Sequence, residues 1–207
     1  MTQCRAAGCR TRAYFGSPKD GKMYFCTMHK REGDRDLKNK MIENKAIDIP
    51  APFKRSDYKV KPEWIDHNGH MNVTFYLEAF DHNIGDFFRS LGLTKEYRRR
   101  ESVATYCGDF HIHYIRELFE GTCIEISCQL VDFDEKRIHL CQSMYNAEEG
   151  YLAAESEVIY LHVDALARKV APMKSDLFDR VKVVYEAHKI LGQPSQRGRT
   201  ISIKKRD

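Results

Sequence analysis

The 207-residue sequence has no apolar run that approaches 18 residues, and its mean hydropathy of −0.58 is low. Both features exclude a membrane-spanning helix, which needs about 20 mostly apolar residues. No apolar stretch follows the first residues, Met1 to Arg5, so we expect no secretory signal peptide. The seven cysteines are an odd number in a chain without an export signal. We interpret them as reduced thiols of a cytoplasmic protein and not as a disulfide framework.

Length and composition indicate one ordinary domain with an appendage. Hydrophobic residues make up 42% and charged residues 31%, so the chain can bury a core and is not disordered throughout. Positive charge is concentrated at the ends. Residues 1–49 hold 11 Lys and Arg against 6 Asp and Glu, and residues 194–207 hold five basic residues against Asp207. Such ends suit an acidic partner such as nucleic acid, or they are solvated tails.

Composition also divides the chain into four segments. Residues 1–33 are rich in cysteine, and residues 34–52 form a charged linker that ends with a Pro-Ala-Pro step. Residues 53–191 form the main domain, and residues 192–207 form a mobile basic tail. The main domain is the part that is long enough to build a hydrophobic core without a metal.

The main domain reads as a strand, a long helix and four further strands. Apolar residues recur every three or four positions over residues 73–91, which predicts a helix with Asn72 as its N-cap and Gly92 just beyond its end. A first strand is predicted at Tyr58–Ile65, and a last helix at about residues 175–191. Alternating patterns predict four strands in antiparallel hairpins: Phe110–Ile115, Ile124–Leu130, Arg137–Asn146 and Tyr151–Val163. We expect an α+β fold in which the antiparallel sheet wraps the long helix.

The loop directly before the long helix concentrates side chains that can perform chemistry. It reads Asp66-His67-Asn68-Gly69-His70-Met71-Asn72. The first N–H groups of a helix and the positive end of its dipole stabilise a developing oxyanion. Asp66, Asn68 and His70 alternate, so an extended loop would point them to one side. The alternative is helix capping, in which Asn72 caps the helix and Asp66 or His70 satisfies loop amides.

This loop and the helix after it resemble the signature of hotdog-fold acyl-CoA thioesterases of the 4-hydroxybenzoyl-CoA thioesterase-like group. The closest likeness is to the thioesterase domain associated with carnitine dehydrogenases, and it extends over about residues 53–178. Further segments agree: Tyr76-Leu77-x-Ala79-Phe80-Asp81, His111-Ile112-x-Tyr114-x-Arg116-Glu117, Leu130-x-Asp132-x-Asp134-x-Lys136-Arg137 and Leu161-His162-Val163-Asp164. The resemblance implies a hotdog fold, hydrolysis of an acyl-CoA to free acid and CoA without a catalytic cofactor, and edge-to-edge pairing into a homodimer or homotetramer.

The same resemblance implies roles for the polar residues of the loop. Asp66 matches the aspartate that acts as general base or nucleophile in the family. Asn68 and His70 match the Asn and His of the Asp-x-Asn-x-His pattern in the related plant acyl-carrier-protein thioesterases, and we expect them to orient substrate or water. The residue types suit the reaction, because a thioester expels a thiolate whose conjugate acid has a pKa of about 8.5. Such a leaving group needs an activated nucleophile and a stabilised oxyanion more than a strong general acid.

Three further residues complete the candidate site. We expect backbone N–H groups near Val73 to hold the oxyanion and Asn72 to hold the loop. Glu117 resembles a further carboxylate of the family, with a structural ion pair to Arg116 as the alternative.

The cysteine-rich segment has the spacing Cys4-x4-Cys9-x16-Cys26-x2-His29. Three thiolates and one imidazole, arranged in two pairs, match a closed tetrahedral Zn²⁺ site, and so short a segment needs the metal to fold. The alternative is a disordered tail with chance cysteines. The spacing and the residues between resemble a short Cys-Cys-Cys-His repeat module of brown algal regulatory proteins and large algal viruses, which implies structural zinc binding.

A rival hypothesis for the whole chain is a hotdog protein that binds an acyl-CoA without cleaving it. Its basic zinc module would contact nucleic acid or another protein, as such modules can. The intact set of Asp66, Asn68 and His70 favours catalysis, whereas the two basic ends favour the regulator.

Overall fold

A computed structural model describes residues 49–203 together with three short strands nearer the N-terminus. These are β1 (Phe15–Gly16), β2 (Met23–Phe25) and β3 (Arg35–Asp36), which pair antiparallel in the order β2-β1-β3. The chain separates into two compact units, residues 1–48 and 49–207. The four predicted metal ligands lie outside the described residues: Cys4, Cys9, Cys26 and His29.

The larger unit consists of one antiparallel sheet and, in its described part, three α-helices. The strands are β4 (Phe53–Lys59), β5 (Val103–Tyr114), β6 (Cys123–Phe133), β7 (Arg137–Asn146), β8 (Leu152–Asp164) and β9 (Lys169–Val170). The helices are α1 (Val73–Ser90), α2 (Lys95–Glu101) and α3 (Ser175–Lys189), with a 3-10 helix at Pro62–Trp64. The strand order is β4-β6-β7-β8-β5, with β9 paired to β8. This confirms the predicted α+β class. None of the helices in the described part combines the length and apolar composition needed to cross a bilayer.

Helix α1 forms the centre of the core. Its apolar positions, spaced three or four residues apart, are buried: Tyr76, Ala79, Phe80, Ile84, Phe87 and Phe88. The sheet contributes every second residue of β6 to the same core: Ile124, Ile126, Cys128 and Leu130. The predicted helix over residues 73–91 and its N-cap are confirmed, because the apolar period and the capping residue indicate the same boundary.

Four elements differ from the prediction. Strand β5 begins at Val103 and not at Phe110, and the two-residue β9 was not predicted. The first strand was expected over Tyr58–Ile65, but β4 ends at Lys59. Pro62 has no N–H to donate to a strand ladder, and the chain turns there into a 3-10 helix. Helix α2 was not expected, since it buries Tyr97 as its one fully packed side chain and carries no apolar stripe.

The basic C-terminal segment was expected to be mobile, but its first part contacts the sheet. The hydroxyl of Ser195 donates to the carboxylate of Glu155 at 3.0 Å. The N–H of Gly198 donates to both carboxylate oxygens of Glu157 at 2.9 Å. Composition revealed the positive charge of this segment but not the acidic partners that hold residues 195–199.

Two glycines provide a matched pair of stability predictions. Gly92 has a φ of +88°, which strains other residues, and an added Cβ would lie 3.0 Å from Cζ of Arg180. Gly85 lies within α1, where an added Cβ meets its nearest atom at 3.6 Å. We expect Gly92→Ala to lower the free energy of unfolding by about 1 kcal/mol or more and Gly85→Ala to raise it by about 0.5–1 kcal/mol. Urea denaturation measures both changes, and shifts of the same sign would contradict the prediction.

His188 on α3 is a buried imidazole whose contacts require the neutral form. Its Nδ1 accepts the N–H of Leu130 at 2.9 Å, so the ring proton lies on Nε2, which donates to the carbonyl of Pro50 at 3.1 Å. Burial lowers the pKa of His188 from its ordinary value of 6.5, against a smaller opposing effect of the hydrogen bond to Pro50. As pH falls, the unfolded chain therefore binds a proton at this position before the folded chain does.

We expect the contribution of His188 to stability to be complete above about pH 6.5 and to be lost as pH falls below that value. His188→Gln removes this titration. The free energy of unfolding of the variant should therefore decline less steeply than that of the wild type between about pH 6.5 and pH 5. Urea titrations at several pH values give both curves, and identical slopes would show that His188 does not titrate differently on unfolding.

Candidate active site

The loop between β4 and α1 is closed into a hairpin-like turn. Ile65 and Met71 form an antiparallel bridge, and the N–H of Asp66 donates to the carbonyl of His70 at 3.0 Å. The N–H of Gly69 donates back to the carbonyl of Asp66 at 3.0 Å, with a φ of +82° that favours glycine. These bonds place the polar residues of the loop at the start of α1.

Asp66 is half-buried, and its carboxylate is held by its own loop. Its Oδ1 accepts the backbone N–H of Asn68 at 2.8 Å, while the rest of Asn68 is exposed. Among residues 49–203, no hydrogen bond reaches Oδ2, and none joins the Asp66 carboxylate to the imidazole of His70. The carboxylate is therefore fixed through one oxygen and keeps the other for water or substrate.

Asn72 caps α1 through both its side chain and its backbone. Its Oδ1 accepts the N–H of Thr74 at 3.0 Å and also the Thr74 hydroxyl, and its carbonyl accepts the N–H of Phe75 at 3.0 Å. The N–H of Val73 has no hydrogen-bond acceptor in the described part of the chain, and Val73 is 58% exposed. An unsatisfied N–H at the positive end of the helix dipole favours a developing negative charge.

Glu117 lies beside the loop, although it is far from the loop in sequence. Its Oε1 is 3.8 Å from Nε2 of His70. Arg116 has other partners, because its guanidinium lies 3.8 Å from Glu149 and stacks 3.8 Å from the ring centre of Tyr151. The fold thus groups Glu117 with the loop residues and leaves Arg116 outside that group.

Two tyrosines to which the sequence assigned no role brace the helix start. The hydroxyl of Tyr114, at the end of β5, donates to the carbonyl of Val73 at 3.2 Å. Its ring meets that of Tyr76 edge-on, with centroids 5.2 Å apart. Burial raises the pKa of Tyr76 to about 12, so its hydroxyl is protonated at neutral pH. Only the fold shows that this end of β5 meets α1.

Apolar side chains are exposed around the helix start. Five of them are between 40% and 58% exposed: Val73, Leu77, Tyr114, Ile115 and Phe119. The neighbouring β5 pairs with β8 alone in the described sheet, so its second edge presents unpaired backbone groups. An exposed apolar patch beside an open strand edge is typical of a surface that a partner covers.

Comparisons with known proteins identify the family of the chain. Residues 60–181, more than half of the chain, match the family model described as "Thioesterase-like superfamily". The betainyl-CoA thioesterase of Pseudomonas aeruginosa is 32% identical over 144 residues, which cover 70% of this chain and 91% of that protein. The L-carnitine dehydrogenase/betainyl-CoA thioesterase of Rhizobium meliloti is 31% identical over 78% of this chain but only 32% of that longer protein.

Structure and N-terminal sequence add two further similarities. A Staphylococcus aureus protein solved in complex with CoA aligns with a TM-score of 0.70 and 26% identity, covering 75% of this chain and 98% of that one. Residues 4–38 match a motif described as "EsV-1-7 cysteine-rich motif", which confirms the resemblance seen in the N-terminal segment. The main domain has the predicted hotdog fold, and the chain belongs to the thioesterase-like superfamily.

Proposed function

We propose that the chain hydrolyses an acyl-CoA thioester to the free acid and CoA at the loop that carries Asp66. Two observations support the site most strongly: Asp66 is half-buried in the loop that leads directly into α1, and the N–H of Val73 at the start of that helix has no acceptor among the described residues. Membership of the thioesterase-like superfamily supports hydrolysis over the rival role of a non-catalytic acyl-CoA-binding regulator.

The reaction needs a nucleophile and a place for negative charge. Asp66 removes a proton from a water molecule, whose oxygen attacks the thioester carbon. The negative charge that forms on the carbonyl oxygen is held by the N–H of Val73. Collapse of this intermediate breaks the carbon–sulfur bond and releases the CoA thiolate, which takes up a proton. In the covalent alternative, Asp66 attacks directly, and water then hydrolyses the acyl–aspartate anhydride.

The neighbouring residues act by positioning these groups. Asn68 holds Oδ1 of Asp66 through its backbone N–H, which leaves the second oxygen for the nucleophile. Asn72 keeps the helix start in place, and His70, with Glu117 at 3.8 Å, orients substrate or water. Together they hold a reacting group at the first turn of α1.

We further propose a short, cationic acyl group such as betainyl for the substrate. The Pseudomonas aeruginosa and Rhizobium meliloti relatives, both betainyl-CoA thioesterases by name, support this substrate. The carboxylates of Asp66 and Glu117 and the rings of Tyr76 and Tyr114 lie around the helix start. Carboxylates and aromatic faces both attract a quaternary ammonium group.

A pair of isosteric substrates tests this proposal. Betainyl-CoA and 3,3-dimethylbutanoyl-CoA have the same shape and differ in one atom, a charged nitrogen or a neutral carbon. Thiol release, divided by the uncatalysed hydrolysis rate of each thioester, should give a kcat/KM about 5–30-fold higher for betainyl-CoA, since cation recognition contributes about 1–2 kcal/mol. Equal values would reject the cationic specificity and keep the hydrolase. The absence of thiol release from both, and from a series of straight-chain acyl-CoAs, would reject the hydrolase.

The assembly that we propose is a homodimer formed through the open edge of β5, or a homotetramer of such dimers. The exposed apolar residues beside this edge support it, because Val73 and Tyr114 belong both to this patch and to the helix start. Light scattering during gel filtration measures the mass directly, and a monomer at micromolar concentration would reject the assembly.

For the location of the protein we propose the reducing cytoplasm. The free thiols of the described strands support this location.

For the N-terminal segment we propose structural Zn²⁺ binding by three thiolates and one imidazole: Cys4, Cys9, Cys26 and His29. The match of residues 4–38 to a cysteine-rich motif supports this ligand set. Thiolate sulfur and imidazole nitrogen are also the donor atoms that structural Zn²⁺ sites use. The segment is basic and is proposed to contact nucleic acid or another protein. Loss of one bound zinc per chain on Cys26→Ser, measured by metal analysis, is the expected result, and an unchanged zinc content would reject it.

A further inference from the structure

The face of the sheet opposite α1 carries a cluster of metal-ligating side chains outside the candidate active site. His139 and Cys141 are two residues apart on β7, and Glu157 lies directly across from Cys141 on β8. One ligand atom from each of these three residues lies within 4.8 Å of the other two. A fourth candidate ligand, the imidazole of His111, lies across from Glu157 on β5.

Strand geometry explains why these side chains converge. Residues two apart on a strand point to the same face, and directly opposed residues on neighbouring strands have Cβ atoms about 5 Å apart. Ile138 and Leu140 are buried in the core, so His139 and Cys141 project from the other face. The same alternation places Val158 in the core and Glu157 on the other face. The three ligands therefore form a triangle on a rigid part of the sheet.

The cluster is partly enclosed and adjoins a cavity. Cys141 is 1% exposed, and the side chains of His139 and Glu157 are 18% and 16% exposed. A cavity of about 230 Å³ lies next to them and is lined also by His111 and Arg199. The enclosure limits competition from bulk water, and the cavity leaves room for a fourth ligand.

We propose that His139, Cys141 and Glu157 bind a Zn²⁺ ion on this face of the sheet, with water or His111 as the fourth ligand. A thiolate, an imidazole and a carboxylate are the donor types that Zn²⁺ accepts in tetrahedral sites, whereas Mg²⁺ and Ca²⁺ require oxygen donors. Ligand atoms around Zn²⁺ lie about 3.5 Å apart. The widest separation in the cluster, at most 4.8 Å, must therefore close by about 1.3 Å or less, while the 2.8 Å contact between His139 and Glu157 lengthens. Coordination releases the thiol proton of Cys141 to solvent, and no other bond changes.

The surroundings of Glu157 suit this role. Both of its carboxylate oxygens accept the N–H of Gly198. If Oε1 binds the metal, Oε2 can keep its contact to this N–H. Nε2 of His139 lies 2.8 Å from Oε1 of Glu157, so the two side chains already form a hydrogen bond with each other. The competing explanation is therefore a hydrogen-bonded pair beside a buried thiol, which would bind no metal.

Cobalt binding to the full chain separates the two explanations. The triple variant Cys4→Ser, Cys9→Ser, Cys26→Ser removes the thiolates proposed for the N-terminal segment. This variant should still bind one Co²⁺ with a thiolate-to-cobalt charge-transfer band, and Zn²⁺ should displace it. Adding Cys141→Ser should abolish the band, and adding Glu157→Gln or His139→Asn should weaken binding at least about tenfold.

Matched controls are Cys107→Ser and His82→Asn, which change an exposed thiol and an exposed imidazole and should have no effect.

Two results would overturn the proposal. One is a triple variant that binds no Co²⁺ at micromolar concentration. The other is binding that survives Cys141→Ser, Glu157→Gln and His139→Asn unchanged. Cooperative thermal unfolding of each variant confirms that the comparison is made on folded protein. If Cys141→Ser does not fold, the other two variants decide the result. Thioesterase activity is not a readout, so a failure here leaves the proposed reaction untouched.

Discussion

Asp66→Asn should lower kcat for acyl-CoA hydrolysis by about 10²–10⁴-fold, the usual contribution of a general base. The substitution keeps the size of the side chain, and Oδ1 of the new amide can still accept the N–H of Asn68 at 2.8 Å. The loop should therefore keep its shape, while the side chain can no longer take a proton or attack the thioester. Thiol release at saturating substrate measures the loss.

The matched control for this variant is Asp179→Asn, which makes the same change at an exposed position of α3. It should leave both kcat and the unfolding midpoint unchanged. Asp66→Asn should share the unfolding midpoint of the wild type, so that lost activity reflects lost chemistry. An Asp66→Asn protein that hydrolyses the thioester at the wild-type rate would remove Asp66 from the mechanism.

The largest expected effect on stability comes from Phe87→Ala in α1. Phe87 is fully buried, and its ring contacts those of Phe53 and Phe88 at centroid distances of 5.7 Å and 6.2 Å. The imidazole of His188 lies against the same ring at 6.1 Å. Three different elements meet at this side chain, so none can collapse into the space without moving the others. We expect the free energy of unfolding to fall by about 3–5 kcal/mol.

Val183→Ala on α3 is the comparison for Phe87→Ala, because Val183 is 53% exposed. Its effect should stay within about 0.5 kcal/mol. Urea denaturation of both variants gives the two values on one scale. A loss below about 1 kcal/mol for Phe87→Ala would mean that α1 is not the centre of the core.

The sequence predicted those parts of the fold in which local signals agree with one another. In α1, an apolar period of three to four residues ends at a glycine with a positive φ and begins at a capping Asn72. In β7, alternation is bounded by polar turns on both sides, and the predicted range Arg137–Asn146 is the observed one. Where one signal stood alone, as for Tyr58–Ile65, a proline changed the outcome.

The candidate site was predictable only where its residues are close together in the sequence. Asp66, Asn68, His70 and Asn72 are adjacent in sequence, so their residue types alone indicated a site. The approach of Glu117 to His70 and of Tyr114 to Val73 depends on where the end of β5 lies relative to α1. No pattern within one segment encodes such a distance.

The cluster on the other face of the sheet was not predictable at all. His139 and Cys141 look like ordinary residues of an alternating strand, and Glu157 lies on a different strand. Their meeting depends on the register between β7 and β8, which pairs Cys141 with Glu157. A shift of β7 by one residue would have moved His139 and Cys141 to the core face, away from Glu157.

The most direct test of the proposed active site is a crystal structure of Asp66→Asn with an uncleaved acyl-CoA bound. The predicted result is a thioester carbonyl oxygen about 3 Å from the N–H of Val73, with the side chain of residue 66 next to the carbonyl carbon or to a water that contacts it. The acyl group should lie at the first turn of α1. A thioester bound elsewhere, for example on the face of the sheet that carries His139, would contradict the proposed mechanism.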